Sequence, residues 1–93
     1  EWTPLMWAVK KDYFEIIKLL VEYKADIDHK DDEGTPIIQY AVENESVDVV
    51  KFLIDKGVDI NVTDQYGLSP LVYALKTKNK AIVDLITSAG GEY

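Results

Sequence analysis

Apolar residues recur three and four positions apart over two short stretches, give way to alternating apolar and polar positions, and then the whole cycle returns twice. In the first stretch Leu5, Ala8 and Val9 share one face of a predicted helix, while Trp7, Lys10 and Lys11 fall on the opposite face. The second stretch, from about Phe14 to Glu22, carries a broad apolar face made by Ile16, Ile17, Leu19 and Leu20. Its counterparts run from about Val47 to Asp55 and from Lys80 to Thr87. Between them, ADIDHKDDEG and VDINVTDQYG alternate Ile or Val with Asp and Asn and end on Gly, which predicts extended arms joined by a turn. Each such connection should project as a finger.

The cycle has a fixed length. At an offset of 33 residues Leu5, Ile38 and Leu71 coincide, as do Ala8, Ala41 and Ala74, Trp7, Tyr40 and Tyr73, Ile16, Val49 and Ile82, and Leu20, Leu53 and Ile86. Asp31 and Gly34 fall on Asp64 and Gly67. A whole-chain repeat of this length implies stacked supersecondary units, because no unit can bury its apolar faces alone. Thr3 before Pro4 and Ser69 before Pro70 each place a capping hydroxyl ahead of a proline suited to the first helical position. Gly57 and Gly90 stand where a helix needs a left-handed stop, whereas Lys24 occupies that place in the first unit, predicting a less tightly defined helix end there.

These residues resemble the ankyrin repeat, a 33-residue unit of a turn and two helices with a Thr-Pro-Leu-His-x-Ala signature. TPLMWA and SPLVYA match the signature except at its histidine, where Met6, Gln39 and Val72 stand instead. EIIKLLVEYKADID and DVVKFLIDKGVDIN follow the second helix and its Gly-Ala-Asp-Val-Asn ending. The resemblance implies an all-α solenoid with β-hairpin-like fingers, filling one domain over residues 1–93 with units at about 1–30, 31–63 and 64–93. It also implies a non-enzymatic protein-binding role without a cofactor, with partners lying across the concave side and the finger tips. By the same resemblance Asn61 matches the finger asparagine that asparaginyl hydroxylases modify in some ankyrin proteins. One departure lies in the middle unit: Thr35-Pro36 sits one residue nearer its glycine than Ser69-Pro70 does, so either the helix starts early or the turn tightens.

Terminal units of a stacked array need a polar outer face. Phe14 and Val47 give way to Lys80, and Val21 and Ile54 to Thr87, on one helical stripe, which predicts a C-terminal cap and an array that closes at Tyr93. The GGEY ending reads as a fraying tail. The first unit, beginning Glu1-Trp2, lacks the Asp and Gly of a finger and has no comparable polar replacements, so it looks truncated. A monomer is expected, with weak self-association through the Trp-rich N-terminal end, or a role as spacer in a longer array.

Charge narrows the partners. The net charge of −7 belongs to the middle unit: residues 31–63 hold two lysines against eight acids. With no arginine in the chain, phosphate neutralisation is poorly provided for, which argues against nucleic acid. No apolar run approaches the roughly 18 residues of a membrane span, and there is no membrane partner to expect. Absence of cysteine removes disulfides, thiolate nucleophiles and cysteine metal sites, and fits an intracellular, cytoplasmic protein. The acidic run from Asp26 through Glu33 lacks the calcium-loop spacing, and predicts only weak cation attraction. His29, the only histidine, reads as a solvated loop residue, and no phosphate loop or nucleophile motif occurs, so no enzyme is expected.

The candidate site therefore comes from stacking. Trp7, Tyr40 and Tyr73 should form an aromatic row flanked by Lys10, Lys11, Glu43, Asn44, Lys76 and Thr77. The finger tips should carry Asp32, Glu33, Gln65 and Tyr66, with Thr35 and Leu68 at the finger bases. A protein with a basic patch is the expected partner. The competing reading is that the aromatics pack between neighbouring first helices, the acidic finger aids solubility, and KTKNK is a solvated turn.

Overall fold

A computed structural model describes residues 2–92. Its six helices are α1 (Pro4–Lys11), α2 (Phe14–Glu22), α3 (Ile37–Glu43), α4 (Val47–Asp55), α5 (Pro70–Thr77) and α6 (Lys80–Ser88). They pair as α1 with α2, α3 with α4 and α5 with α6, and the pairs stack so that α1, α3 and α5 form one layer and α2, α4 and α6 the other. First helices contact their neighbours more extensively than second helices do. The three alanines of the repeated phrase explain this closeness: Ala8, Ala41 and Ala74 are all buried, and their small side chains let the backbones approach. Leu5, Ile38, Val49, Leu53, Ile82 and Ile86 complete a continuous core through the stack.

The helix starts keep the 33-residue register, with Pro4, Ile37 and Pro70 as first residues. In α1 the Met6 N–H donates to Thr3 Oγ1 at 3.2 Å, the expected cap. Pro36 instead stands at the cap position of α3 with extended backbone, so the helix does not start early. Ile37 N donates across the finger base to His29 O at 3.3 Å, which holds the chain extended up to Pro36. Ser69 corrects the second cap expectation. Its hydroxyl makes no cap bond and donates instead to Glu92 O at 2.5 Å.

Helix ends differ from expectation at Lys24. It adopts φ 71°, beside 88° at Gly57 and 93° at Gly90, and Lys24 N→Val21 O (3.0 Å) and Ala25 N→Leu20 O (3.1 Å) match the closure after α4. The end of α2 is as well closed as its counterparts. What the lysine adds is backbone strain, since a side chain in the left-handed region costs about 1–2 kcal/mol. The α1–α2, α3–α4 and α5–α6 turns repeat this device with Asp12, Glu45 and Lys78, all at positive φ.

The fingers are tight turns. Asp31 N→Thr35 O and Gly34 N→Asp31 O close the first, Asp64 N→Leu68 O and Gly67 N→Asp64 O the second. Among the described residues no strand forms, only an antiparallel bridge between Lys30 and Pro36. The hairpin-like arms expected are thus reduced to their turn ends. Nor does the C-terminal segment fray through Glu92: Gly91 N donates to Ile86 O at 2.8 Å and Glu92 N to Asn61 Oδ1 at 2.8 Å. The expectations placed on Glu1 and Tyr93 lie outside the described residues.

Candidate functional site

At the base of each finger a buried aspartate organises the turn. Asp31 Oδ1 accepts from Glu33 N and Thr35 N, both at 2.9 Å, and Asp64 Oδ1 accepts from Tyr66 N at 2.9 Å and Leu68 N at 3.0 Å. The other carboxylate oxygen faces the aromatic row. Tyr40 donates its hydroxyl to Asp31 Oδ2 at 2.6 Å, and Tyr73 donates to Asp64 Oδ2. Each finger is therefore latched to the first helix that follows it.

The latch shifts both partners. Burial acts to raise the Asp31 carboxyl, but hydrogen bonds from Tyr40, Thr35 and Glu33 outweigh it and hold the group below its usual value. Asp64 follows the same balance, with Tyr73, Leu68 and Tyr66 as donors. Tyr40 is pushed up to about 12, by burial first and by its bond to Asp31 second, and Tyr73 to about 12, chiefly by its bond to Asp64. Phenol and carboxylate are held as neutral donor and charged acceptor, which makes a clasp and leaves neither group poised for proton transfer at neutral pH.

Trp7 stands where the later units carry a clasping tyrosine and is 52% exposed. Its ring lies 6.2 Å from Tyr13 and beneath the Lys11 ammonium, 5.3 Å from the ring centre. Lysines cover the other two rings as well: Lys10 lies 5.3 Å above Tyr40 and Lys76 lies 5.2 Å above Tyr73. Each of the three rings of the expected row thus has a lysine ammonium over it. Trp2, which the sequence did not mark as a site residue, joins the row by packing 5.3 Å from Tyr40 and 5.5 Å from Lys10 Nζ. Its signal was weak: it stands at the repeat position of Thr35 and Leu68, where no aromatic is otherwise found.

The remaining expected site residues divide by their hydrogen bonds. Glu43 is exposed beside the row, and Asp32, Glu33, Gln65 and Tyr66 are exposed at the tips. Asn44 is exposed but its amide donates to Val9 O and Lys10 O, both at 3.0 Å, closing the end of α1 from the neighbouring unit. Thr77 donates to Ala74 O in its own helix. Thr35 is buried, with Oγ1 facing Gln65 Oε1 at 3.5 Å, and Leu68 is half-buried. Those four positions hold the scaffold; the tips and the lysine-lined row are what a partner could reach.

Fingers are also tied to one another. Lys30 Nζ donates to Thr63 O at 2.7 Å, and Asp59 N donates to Asp28 Oδ1 at 2.8 Å. One repeat later Asn61 does the same work, accepting from Glu92 N and donating to Gly90 O at 3.2 Å. The acidic run thus spends Asp26, Asp28 and Asp31 on backbone N–H groups. Among the described residues no group of three or more His, Asp or Glu side chains could hold a metal ion.

A family model of ankyrin repeats matches residues 5–93 as three copies. The chain belongs to the ankyrin repeat family. Ankyrin repeats mediate protein–protein interaction, and the family consists of non-enzymatic interaction modules. No curated protein matches the chain. The Asp31–Tyr40 and Asp64–Tyr73 clasps thus belong to an ankyrin scaffold.

Proposed function

We propose that this ankyrin chain is a non-enzymatic protein-binding module whose contact surface runs from Trp7, Tyr40 and Tyr73 to the finger tips, and whose partner carries a basic patch. The observation that supports this most is the clasp at each finger base. By burying Asp31 and Asp64, it leaves Asp32 and Glu33 on one tip, and Gln65 and Tyr66 on the other, facing outward from a fixed turn. A preorganised acidic tip lowers the ordering cost of association and speeds encounter with a positively charged surface. The lysines over the aromatic row call for carboxylates in the partner beside its basic patch, so that the two charge signs set its orientation. Tyr66, 75% exposed, is the aromatic anchor at the tips.

Affinity capture from lysate tests this reading with the chain run beside an Asp32→Lys, Glu33→Lys version and a Trp7→Ala version, after both are confirmed to be as helical as the parent. A protein retained by the parent, lost with the charge-reversed tip and weakened by Trp7→Ala supports the surface described. Equal retention by all three removes it, and a chain that retains nothing specific is acting as a spacer.

A further inference from the structure

Both internal junctions of the second-helix layer serve the same stack, yet the first is built from different side chains. There Phe14 meets Phe52 edge-on, with ring centres 5.8 Å apart, where one repeat later Val47 and Leu85 hold the two positions. The larger rings keep the helices apart, and α2 touches α4 less than α4 touches α6. Their separation leaves a groove along α4, floored by Asp48, Lys51, Phe52 and Asp55 on one face of that helix. It opens as three cavities: about 330 Å³ where α2 and α4 begin, about 190 Å³ beside the rings, and about 480 Å³ where the helices end. The first two share Phe14 and Asp48, and the third begins at Lys56, next to Asp55. Both walls belong to an internal junction, so the groove does not depend on residues 1 or 93.

Charge changes sign along the groove. Asp12, Glu45 and Asp48 line the first cavity, with no lysine among its lining residues. In the middle Lys18 pairs with Glu15 at 3.0 Å and Lys51 with Asp55 at 3.3 Å, so the flanks of the rings are neutral. Lys24 and Lys56 rim the third cavity beside Glu22, around the apolar Val21, Ala25 and Ile27. Helix dipoles oppose this gradient only in part, since roughly half a positive charge at each helix start faces three carboxylates. At the second junction Glu45, Lys78 and Ala81 stand at the positions of the three acids, and Gly57 and Ala89 at those of the two lysines. Because the stack forms there without them, packing alone does not account for the acidic mouth, the paired rings or the basic end.

We infer that this groove is a second docking site, filled by an extended segment of a partner protein that carries a lysine or arginine, then an apolar residue, then a carboxylate. The nine residues of α4 rise about 13 Å, which is the span of about four extended residues. At the mouth the cation meets three carboxylates, of which Glu45 already accepts from Asn79 Nδ2 at 3.3 Å through one oxygen. The apolar side chain covers the half-buried rings of Phe14 and Phe52, and the carboxylate reaches Lys24 and Lys56. Opposite charges at the two ends fix the direction in which the segment lies. The site is separate from the finger tips and does not rest on them.

Amide chemical shifts of the nitrogen-15-labelled chain test this, titrated to millimolar concentration with the capped peptide Lys-Ala-Phe-Ala-Asp. Saturable shifts at Val21, Asp48, Phe52 and Lys56 are expected, with the finger-tip amides unmoved. Asp48→Lys alters an exposed position and weakens binding about fivefold, whereas Asp84→Lys, an equal change of net charge on the exposed side of α6, leaves it unchanged. Phe14→Val with Phe52→Leu copies the second junction, and abolishes binding in a chain that is as helical as the parent. No saturable shift at millimolar peptide, shifts confined to the finger tips, or equal weakening by Asp48→Lys and Asp84→Lys overturns the site. So does undiminished binding of Asp-Ala-Phe-Ala-Asp, since the acidic mouth then selects nothing.

Discussion

Tyr73→Phe removes one oxygen and isolates the clasp. The ring stays, and with it the contact to Lys76; Asp64 Oδ1 keeps its two backbone donors, and only the bond to Oδ2 is lost. A hydrogen bond to a charged group contributes about 1.5–3 kcal/mol, and the aspartate left behind is buried. We therefore expect a loss of about 2 kcal/mol, or about 8–16 °C in Tm for a chain of this size. Urea unfolding followed by circular dichroism measures it. The pH dependence gives the sign. Asp64 has a lowered carboxyl, so its contribution is complete above 3.8 and fades as pH falls through its folded value. Tyr73 is raised, so its contribution is complete below 10.0 and fades as pH climbs towards about 12. The difference between parent and Tyr73→Phe should be flat around neutrality and shrink at both extremes. A cost under about 0.5 kcal/mol at neutral pH, or one that does not change at about pH 2, refutes the clasp as a charge-assisted bond.

Three further outcomes follow from the backbone and the stacking. Lys24→Gly relieves a left-handed residue and should raise stability by about 0.5–1 kcal/mol after the added chain freedom of glycine is counted, measured in the same urea assay. Gly91→Ala should cost about 1–3 kcal/mol, because its Cβ would lie 2.4 Å from Ile86 Cγ2 and 2.8 Å from Ile86 O; an unchanged Tm would mean that the tail is not held there. Val49→Ala should cost about 2 kcal/mol while Ile16→Ala one repeat earlier costs under about 1, because Val49 is buried and Ile16 is 49% exposed; equal losses would deny that difference in burial.

Much of the scaffold was legible because it is local. The periodic apolar positions marked α2 and α4 with the bounds they take, and Gly57 and Gly90 marked helix stops, since a left-handed residue is a property of one position. Lys24 shows where composition misleads: the stack requires the same turn there, and the backbone adopts it without glycine. The candidate surface was legible only in outline. The tips Asp32, Glu33, Gln65 and Tyr66 are exposed as their turn chemistry suggested, but the lysines folded over the aromatic row and the joining of Trp2 to Tyr40 depend on neighbours from other turns and units.

The sequence by itself determined the repeat length, the number of units, the helix faces and the acidic character of the middle unit, because periodicity and charge are carried by residue type and spacing alone. Only the tertiary structure decided where the polar side chains are spent. Thr3 and Ser69 look alike in sequence, yet one caps its own helix and the other reaches Glu92 O, because the chain 23 residues later returns to it. Tyr40 and Tyr73 look like free aromatics of one helix face in sequence, yet their hydroxyls clasp Asp31 and Asp64 across nine residues. A hydroxyl or a carboxylate bonds whichever complementary group the packed backbone brings within about 3 Å, and that neighbour is chosen by the stacking of units and not by adjacent sequence.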